Sequence, residues 1–235
     1  MHTPSSATTP VPQRQVVDAW TRTLHALIAL SFGLAYISSE LEGWRWVHAT
    51  LGYTLAGALL VRVLWGLWGP RRVRLQALGA RLGDLAHLHE MVQDWAWVRM
   101  LKLIVSVSVV AVLVVAAPVL ASGYVRYLGW LGPWTEEVHE VLANTMLFAV
   151  LGHIGAVAVL TLFKQGQLRP MWRGRVEGPG PDLVKHNLVG LAVVSVLLVA
   201  CFWAWQTHAY VQDPQFTQPT PWLHPVGGYD EERDD

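Results

Sequence analysis

Long apolar stretches separated by shorter polar connections dominate the chain. The apolar stretches cover residues 19–38, 46–68, 100–122, 138–163 and 188–206. Each is close to the roughly 20 residues that a helix needs to cross a bilayer. Polar side chains interrupt the first two, which contain Arg22, His25 and Arg62, whereas the last contains no charged residue. The pattern predicts an all-α membrane protein with five transmembrane helices.

Composition supports the membrane class and excludes several kinds of chemistry. Hydrophobic residues make up 53% of the 235 positions and charged residues only 14%, which is typical of an integral membrane protein. The single cysteine, Cys201, excludes an intramolecular disulfide and a cysteine-based metal cage. The sequence contains no phosphate-binding loop, nucleophile elbow or nucleic-acid motif, so we expect neither group-transfer chemistry nor a nucleic-acid partner.

The basic residues predict the orientation. They cluster in the connections 69–99 and 164–187, which the positive-inside rule assigns to the cytoplasm. This puts the N-terminus in the cytoplasm and the C-terminus outside. Residues 1–17 lack the features of a signal peptide and are predicted to form a mobile cytoplasmic tail. Residues 209–235, rich in proline and then acidic, are predicted to form an external tail without a domain of its own.

Four histidines, His25, His48, His139 and His153, lie within or at the ends of the apolar stretches, where an unsatisfied polar ring is costly. In the predicted topology His48 and His139 lie at the outer side, and His25 and His153 at the inner side. His139 and His153 are fourteen residues apart, so they share a helix face about 21 Å apart along the axis.

Depth therefore predicts two pairs, His48 with His139 and His25 with His153, each binding one haem iron from both sides. Two imidazoles give a six-coordinate iron suited to electron transfer. Any one such histidine is also compatible with a packing role, so the prediction depends on all four together.

Other residues are predicted to surround the haems. Arg62, fourteen residues after His48, lies on the same face at inner depth and is predicted to pair with a haem propionate. Arg22 is a second candidate for that role or for the membrane surface. Gly52, one turn after His48, leaves room for the edge of a macrocycle.

Two further groups of residues, a pair of glycines and a pair of histidines, each allow two interpretations. Gly152 and Gly155, beside His153, are predicted either to give the macrocycle the same room or to serve helix packing. His87 and His89 lie among acidic residues and fit a surface metal site or, as we favour, a solvated amphipathic segment.

Three stretches carry a resemblance to a known family. They are Asp18–His25 (DAWTRTLH), His48–Gly66 with its HATLGY start and its RVLWG end, and His139–Ile154 with its HE start and its LGHI end. Over roughly residues 16–164 the chain resembles the bacterial cytochrome b-561 family, which includes the cytochrome b subunit of nickel-iron hydrogenases. The chain departs from the family at Ala26, where members often have tryptophan, and in lacking a Gly-His-Asn-Pro stretch before the third span. The match to the hydrogenase subgroup is not close.

The resemblance implies a four-helix transmembrane bundle holding two b-type haems over residues 18–164. A cytoplasmic loop at 165–187, a fifth transmembrane helix at 188–208 and a periplasmic tail at 209–235 follow. It further implies an electron-transfer cytochrome of the bacterial inner membrane, in contact with lipid. Electrons would pass between the quinone pool and a periplasmic cytochrome c or another redox subunit.

Two alternatives remain open. One is a superoxide:quinone oxidoreductase, which a basic pocket near the outer haem would favour, with Arg126 as the obvious outer cation. The other is a non-haem scaffold or anchor subunit, supported by the fifth span and the tail 213–235.

A quinone pocket should adjoin a haem and offer a hydrogen-bonding group near a bilayer surface. The outer candidates are Ser122, Tyr124, Glu140 and Tyr53. Ser122-Gly123 also fits the end of a helix, and Glu140 the start of one.

Overall fold

The computed structural model describes residues 12–41, 43–68, 79, 82–129, 131–163, 168–184 and 186–212. Five helices longer than 20 residues lie within these ranges: α1 Ala19–Ser39, α2 Arg45–Trp68, α4 Trp97–Tyr127, α5 Trp134–Leu162 and α7 Val189–Gln212. The shorter elements are β1 Gln13–Gln15, a 3₁₀ helix Gly83–His87, α3 Leu88–Gln93, α6 Leu168–Arg173 and β2 Arg175–Glu177. The predicted all-α class is confirmed. The predicted tail at 213–235 and the basic residues at 71, 72, 74 and 81 lie outside the described residues.

Two helical hairpins form the bundle. α1 packs along α2, α4 packs along α5, and α7 lies mainly against α1. We call the end that contains β1 and β2 the strand end, and the opposite end, where α1 ends and α5 begins, the loop end. Among the described helices α2, α4, α5 and α7 are each long and apolar enough to cross a membrane. The chain is therefore a multi-pass membrane protein.

Two helix boundaries differ from the sequence prediction. α4 continues beyond the apolar stretch to Tyr127 and ends before Gly129, whose positive φ of 71° suits the residue after a helix. Ser122 and Gly123 are thus inside α4, and the interpretation of this pair as a helix end was wrong. α5 begins at Trp134, so Glu140 lies in its second turn and does not cap it.

An apolar layer joins the two hairpins halfway along the bundle. It contains Phe32, Leu55, Leu59, Ala116, Val119 and Met146. Met146 is fully buried and stands seven residues from His139 and seven from His153 on α5. The layer therefore lies at the middle depth, between the levels of the four histidines.

The strand end is held together by the N-terminal segment. β1 pairs antiparallel with β2, with Arg14 opposite Val176, and the backbone N–H groups of Val16 and Val17 donate to the carbonyl of Gly174. Residues 13–17, predicted to be mobile, are therefore ordered here. The pairing was not predictable from periodicity, because strands of three mostly polar residues carry no alternating pattern.

The start of α1 is buried and capped. Asp18, 1% exposed, accepts from the backbone N–H of Thr21 at 2.7 Å and from its hydroxyl at 2.9 Å. The backbone N–H of Ala19 donates to Asn187, which precedes α7. The positions of α1 and α7 are thus linked at the strand end.

Tryptophans fix α7 along its length. Trp20 of α1 donates to Ser195 at 3.0 Å near the strand end, and Trp203 donates to Thr54 of α2 at 3.1 Å. Near the loop end Tyr210 stacks on a tryptophan of α2, Trp46, with ring centres 4.8 Å apart. α7 therefore runs from the strand end to the loop end, so residues 18 and 212 lie at opposite ends of the bundle.

Candidate functional site

The structure brings the four histidines together as two pairs at different depths. The ring centres of His48 and His139 lie 6.2 Å apart near the loop end. Those of His25 and His153 lie 6.5 Å apart nearer the strand end. Each pair joins one residue of the α1–α2 hairpin to one of the α4–α5 hairpin, so both pairs span the space between the hairpins.

Hydrogen bonds orient three of the four rings through the same atom. His48 Nδ1 lies 2.8 Å from the carbonyl of Ala35, and His139 Nδ1 lies 3.1 Å from that of Val119. His153 Nδ1 lies 3.3 Å from the hydroxyl of Ser108. A carbonyl can only accept, so Nδ1 of His48 and of His139 carries the proton and Nε2 keeps its lone pair. This is the tautomer that a metal-binding histidine needs.

The geometry of the pairs fits a haem iron. Two imidazoles that bind one metal ion from opposite sides, through bonds of about 2.0 Å, place their ring centres roughly 6 Å apart. Both measured separations agree with this value. Among the described residues no group of three or more His, Cys, Asp or Glu side chains is placed to hold a metal ion. Each pair would offer a metal two imidazole nitrogens, which suits an ion whose remaining ligands come from a macrocycle.

The glycines next to the histidines leave open space. A Cβ atom added at Gly52, Gly152 or Gly155 would meet nothing within 4 Å. Gly152 and Gly155 are exposed, so the space beside them belongs to the outer surface of α5, whereas Gly52 is partly buried and keeps the predicted room for a flat group.

The two predicted arginines have different surroundings. Arg62 is half-buried and lies within electrostatic range of Asp18 and of His25, so it is at the level of the strand-end pair. Arg22 donates through one terminal nitrogen to the carbonyl of Trp172 at 2.9 Å. Of the two predicted arginines, Arg62 thus lies within electrostatic range of His25, whereas Arg22 is held by the segment that precedes β2.

Residues of α4 that the sequence analysis did not assign to the histidines pack directly on them. Ser122 lies 3.1 Å from His139 Nδ1, and a Cβ atom at Gly123 would lie 2.8 Å from His139 Cε1. Ser108 has the corresponding contact with His153. A signal was present in the sequence: Ser108 and Ser122 are fourteen residues apart, the same interval as His139 and His153.

The outer quinone candidates are only partly grouped, since Tyr53 of α2 lies within electrostatic range of Tyr124 of α4. Ser122 faces His139, and Glu140 is exposed on α5. Tyr53 and Tyr124 are exposed, and Tyr53 meets Tyr127 edge to face at 6.4 Å. The structure therefore does not bring the four candidates together around one pocket.

The connection before α4 contains the two histidines for which a surface metal was considered. His87 pairs with Glu90 at 3.2 Å, and His89 contacts Gln93 at 2.9 Å; all four side chains are exposed. These local contacts on the 3₁₀ helix and α3 agree with a solvated amphipathic segment.

Comparison with known proteins gives a family. The family model of prokaryotic cytochrome b561 matches residues 16–174, about two thirds of the chain and all four paired histidines. No curated protein and no solved structure matches the chain. The family and the apolar helices make this a b-type haem protein of electron transfer in a bacterial membrane. On this match the chain belongs to the prokaryotic cytochrome b561 family.

Proposed function

We propose that the protein carries electrons across the membrane through two b-type haems, one held by His48 and His139 and the other by His25 and His153. The observation that carries the proposal is the pair of ring separations, 6.2 and 6.5 Å, at two depths of one bundle. A haem iron supplies reversible one-electron chemistry, and two imidazoles favour the electron-transfer form. α1 is the fifth span in this proposal, because its 21 residues reach about 32 Å and it packs along α2.

The surrounding residues hold and insulate the two sites. The carbonyls of Ala35 and Val119 keep two of the rings in the binding tautomer. Arg62 places a positive charge at the strand-end site, where it would offset the negative propionates. Gly52, one turn after His48, has no side chain and would give the loop-end macrocycle room against α2. Met146 and its neighbours exclude water between the sites, so that electrons pass through an apolar layer of fixed thickness.

We place the strand end in the cytoplasm. The described basic residues of this end include Arg99, Arg173 and Arg175, in the two connections that the positive-inside rule selects, and also Arg14 before α1 and Lys102 in the second turn of α4. The loop end contains Glu40, Glu136 and Glu137 and would face the periplasm. With α7 crossing the bundle, the C-terminal tail would start on the periplasmic side.

A quinone site is best placed at the strand end. An open cavity of about 920 Å³ lies on the surface between the start of α4 and the end of α5, and its largely exposed lining includes Trp95, Trp97, Lys102, Val159 and Phe163. Its size and mostly apolar lining suit a small organic ligand. Quinone exchange here and a redox partner at the loop end would explain why two haems at different depths are needed. The outer candidates of the sequence analysis stay an alternative placement of the quinone.

The relay is favoured over the superoxide-oxidising enzyme by the environment of Arg126. This arginine, the cation expected to mark a basic outer pocket, is paired with Glu136 at 2.6 Å. Its charge is therefore neutralised locally. The family match, for its part, favours a haem protein over a non-haem scaffold.

The haem proposal is tested by counting haem b in the purified protein with a pyridine haemochromogen assay. We expect two haems per chain in the wild type and one in His25→Ala and in His139→Ala. The matched control is His208→Ala, an exposed histidine of α7, which should keep two. One haem in the folded wild type, or two in both ligand variants, would contradict the assignment.

The quinone proposal needs its own variant. Val159→Trp fills the strand-end cavity, whereas Val141→Trp adds the same bulk at an exposed position of α5 near the loop end. We expect quinol-driven haem reduction to slow at least tenfold in the first variant only, with haem content unchanged in both. Equal rates in the two variants would exclude this cavity as the quinone site.

A further inference from the structure

α4 contains the same three-group arrangement twice. At the loop end the hydroxyl of Ser122 donates to the carbonyl of Val119 at 3.0 Å, and His139 Nδ1 lies 3.1 Å from both oxygens. Because the hydroxyl hydrogen is directed to the carbonyl, a lone pair of Oγ is left for the histidine N–H. The Nδ1–H group of His139 is thus shared between two acceptor oxygens, which belong to residues one helical turn apart on α4.

The second copy lies fourteen residues earlier. The hydroxyl of Ser108 donates to the carbonyl of Val105 at 2.9 Å, and His153 Nδ1 lies 3.3 Å from the Ser108 oxygen. α4 and α5 are antiparallel, so an interval of fourteen on one helix faces an interval of fourteen on the other. Each α5 histidine therefore meets a serine of α4 whose hydroxyl donates to a carbonyl of the preceding turn.

The α1–α2 hairpin uses a different device. His48 Nδ1 bonds the carbonyl of Ala35 at 2.8 Å, and no serine takes part in that contact. The other buried serine of this half of α4, Ser106, donates to the carbonyl of Lys102. The serine contact is thus specific to the two α5 histidines among the contacts of the described residues.

From this repeat we infer that Ser108 and Ser122 are positioning residues that set the electron donation of His153 and His139, each for one haem. The inference rests on the proposed ligation. A serine oxygen that accepts from Nδ1–H draws the proton further from the ring and makes Nε2 a stronger donor, which stabilises the oxidised iron. Removal of the hydroxyl weakens this donation, so the midpoint potential of that haem rises while the other is unchanged.

The experiment measures the two midpoint potentials by spectroelectrochemistry of the full-length protein in detergent or nanodiscs. His25→Ala leaves the loop-end haem alone and His48→Ala the strand-end haem alone, and these backgrounds assign each potential. We expect Ser122→Ala to raise only the loop-end potential and Ser108→Ala only the strand-end potential. Ser122→Thr, which keeps a hydroxyl, should restore the wild-type value.

Ser106→Ala is the matched control, since it removes a buried hydroxyl of the same helix that bonds no histidine. Unshifted potentials in both serine variants, or shifts equal to those of Ser106→Ala, would overturn the positioning role while leaving the ligand pairs intact. A wild type with fewer than two haems would instead overturn the proposed ligation, and the inference with it. Haem content measured on every sample separates the two failures.

Discussion

Gly123 gives the sharpest test of the loop-end site, because the position tolerates almost no added volume. A Cβ atom there would lie 2.8 Å from Cε1 and 3.2 Å from Nδ1 of His139. Ordinary contact between carbon atoms needs about 3.5 Å, so in Gly123→Ala the ring must move by roughly 0.7 Å. Metal–ligand distances tolerate only about 0.2 Å. The ring therefore cannot keep its present position and a normal bond to iron.

The expected result is loss of the loop-end haem with the fold retained. Packing strain of about 1–3 kcal/mol opposes a gain of about 1 kcal/mol from replacing a helical glycine. The net free energy of unfolding should thus fall by no more than about 2 kcal/mol. We expect haem content to drop from two towards one per chain, and the remaining haem to have the spectrum of the single haem in His139→Ala.

The matched control is Gly57→Ala on α2, where an added Cβ meets nothing within 4 Å. It should keep both haems and equal or exceed the wild-type stability. The measurements are the haemochromogen count, reduced-minus-oxidised spectra and thermal unfolding of both variants. If Gly123→Ala keeps two haems with wild-type spectra, the close packing of α4 on His139 is not needed for haem binding, and the prediction is refuted.

Three other substitutions test the parts that support the sites. Met146→Ala opens a cavity in the fully buried middle layer and should cost about 2–5 kcal/mol of unfolding free energy in a denaturant titration, while both haems remain bound. Asp18→Ala removes the cap of α1 and should cost about 0.5–2 kcal/mol, whereas Asp18→Asn, which can still accept from the backbone, should cost less. Tyr36→Phe removes the hydroxyl that donates to Asn144 at 2.7 Å between α1 and α5, and the amide left without its donor should cost about 1–3 kcal/mol.

Each of these has its own contradicting outcome. Loss of both haems in Met146→Ala would mean that the layer holds the haems directly and does not merely separate them. An equal loss of unfolding free energy in the two Asp18 variants would show that Asp18 does not stabilise α1 by capping it. For this partly buried pair, Tyr36→Phe combined with Asn144→Leu should be less destabilised than Tyr36→Phe alone. A strictly additive result would show that the hydrogen bond contributes nothing.

Sequence alone gave the main architecture but not the contacts that orient the site. The apolar stretches located the five long helices to within a few residues, because bilayer thickness fixes the length of an apolar helix. The intervals between histidines grouped the same rings that the structure brings together, since both depth and helix face follow from residue number. Their role as ligands stays a prediction.

What the sequence did not give depends on the rotation of one helix against another. The contact of Gly123 with His139 requires that α4 turn this residue towards α5, and a nearly uniform apolar helix has no polar face from which to derive that rotation. The pairing of β1 with β2 was likewise hidden, because it joins residues more than 150 positions apart. The serines of α4 were recognisable only once the interval of fourteen had been compared between two helices.

The division of each histidine pair between the two hairpins has a consequence for biogenesis. The first hairpin supplies His25 and His48, and the second supplies His139 and His153. During synthesis the ribosome must therefore make α5 before either pair exists, and a nascent chain that ends after α4 contains no complete pair. If the pairs hold the haems as proposed, each haem gains its second ligand only after the second hairpin has been made and inserted, so that haem loading would be a late step of biogenesis.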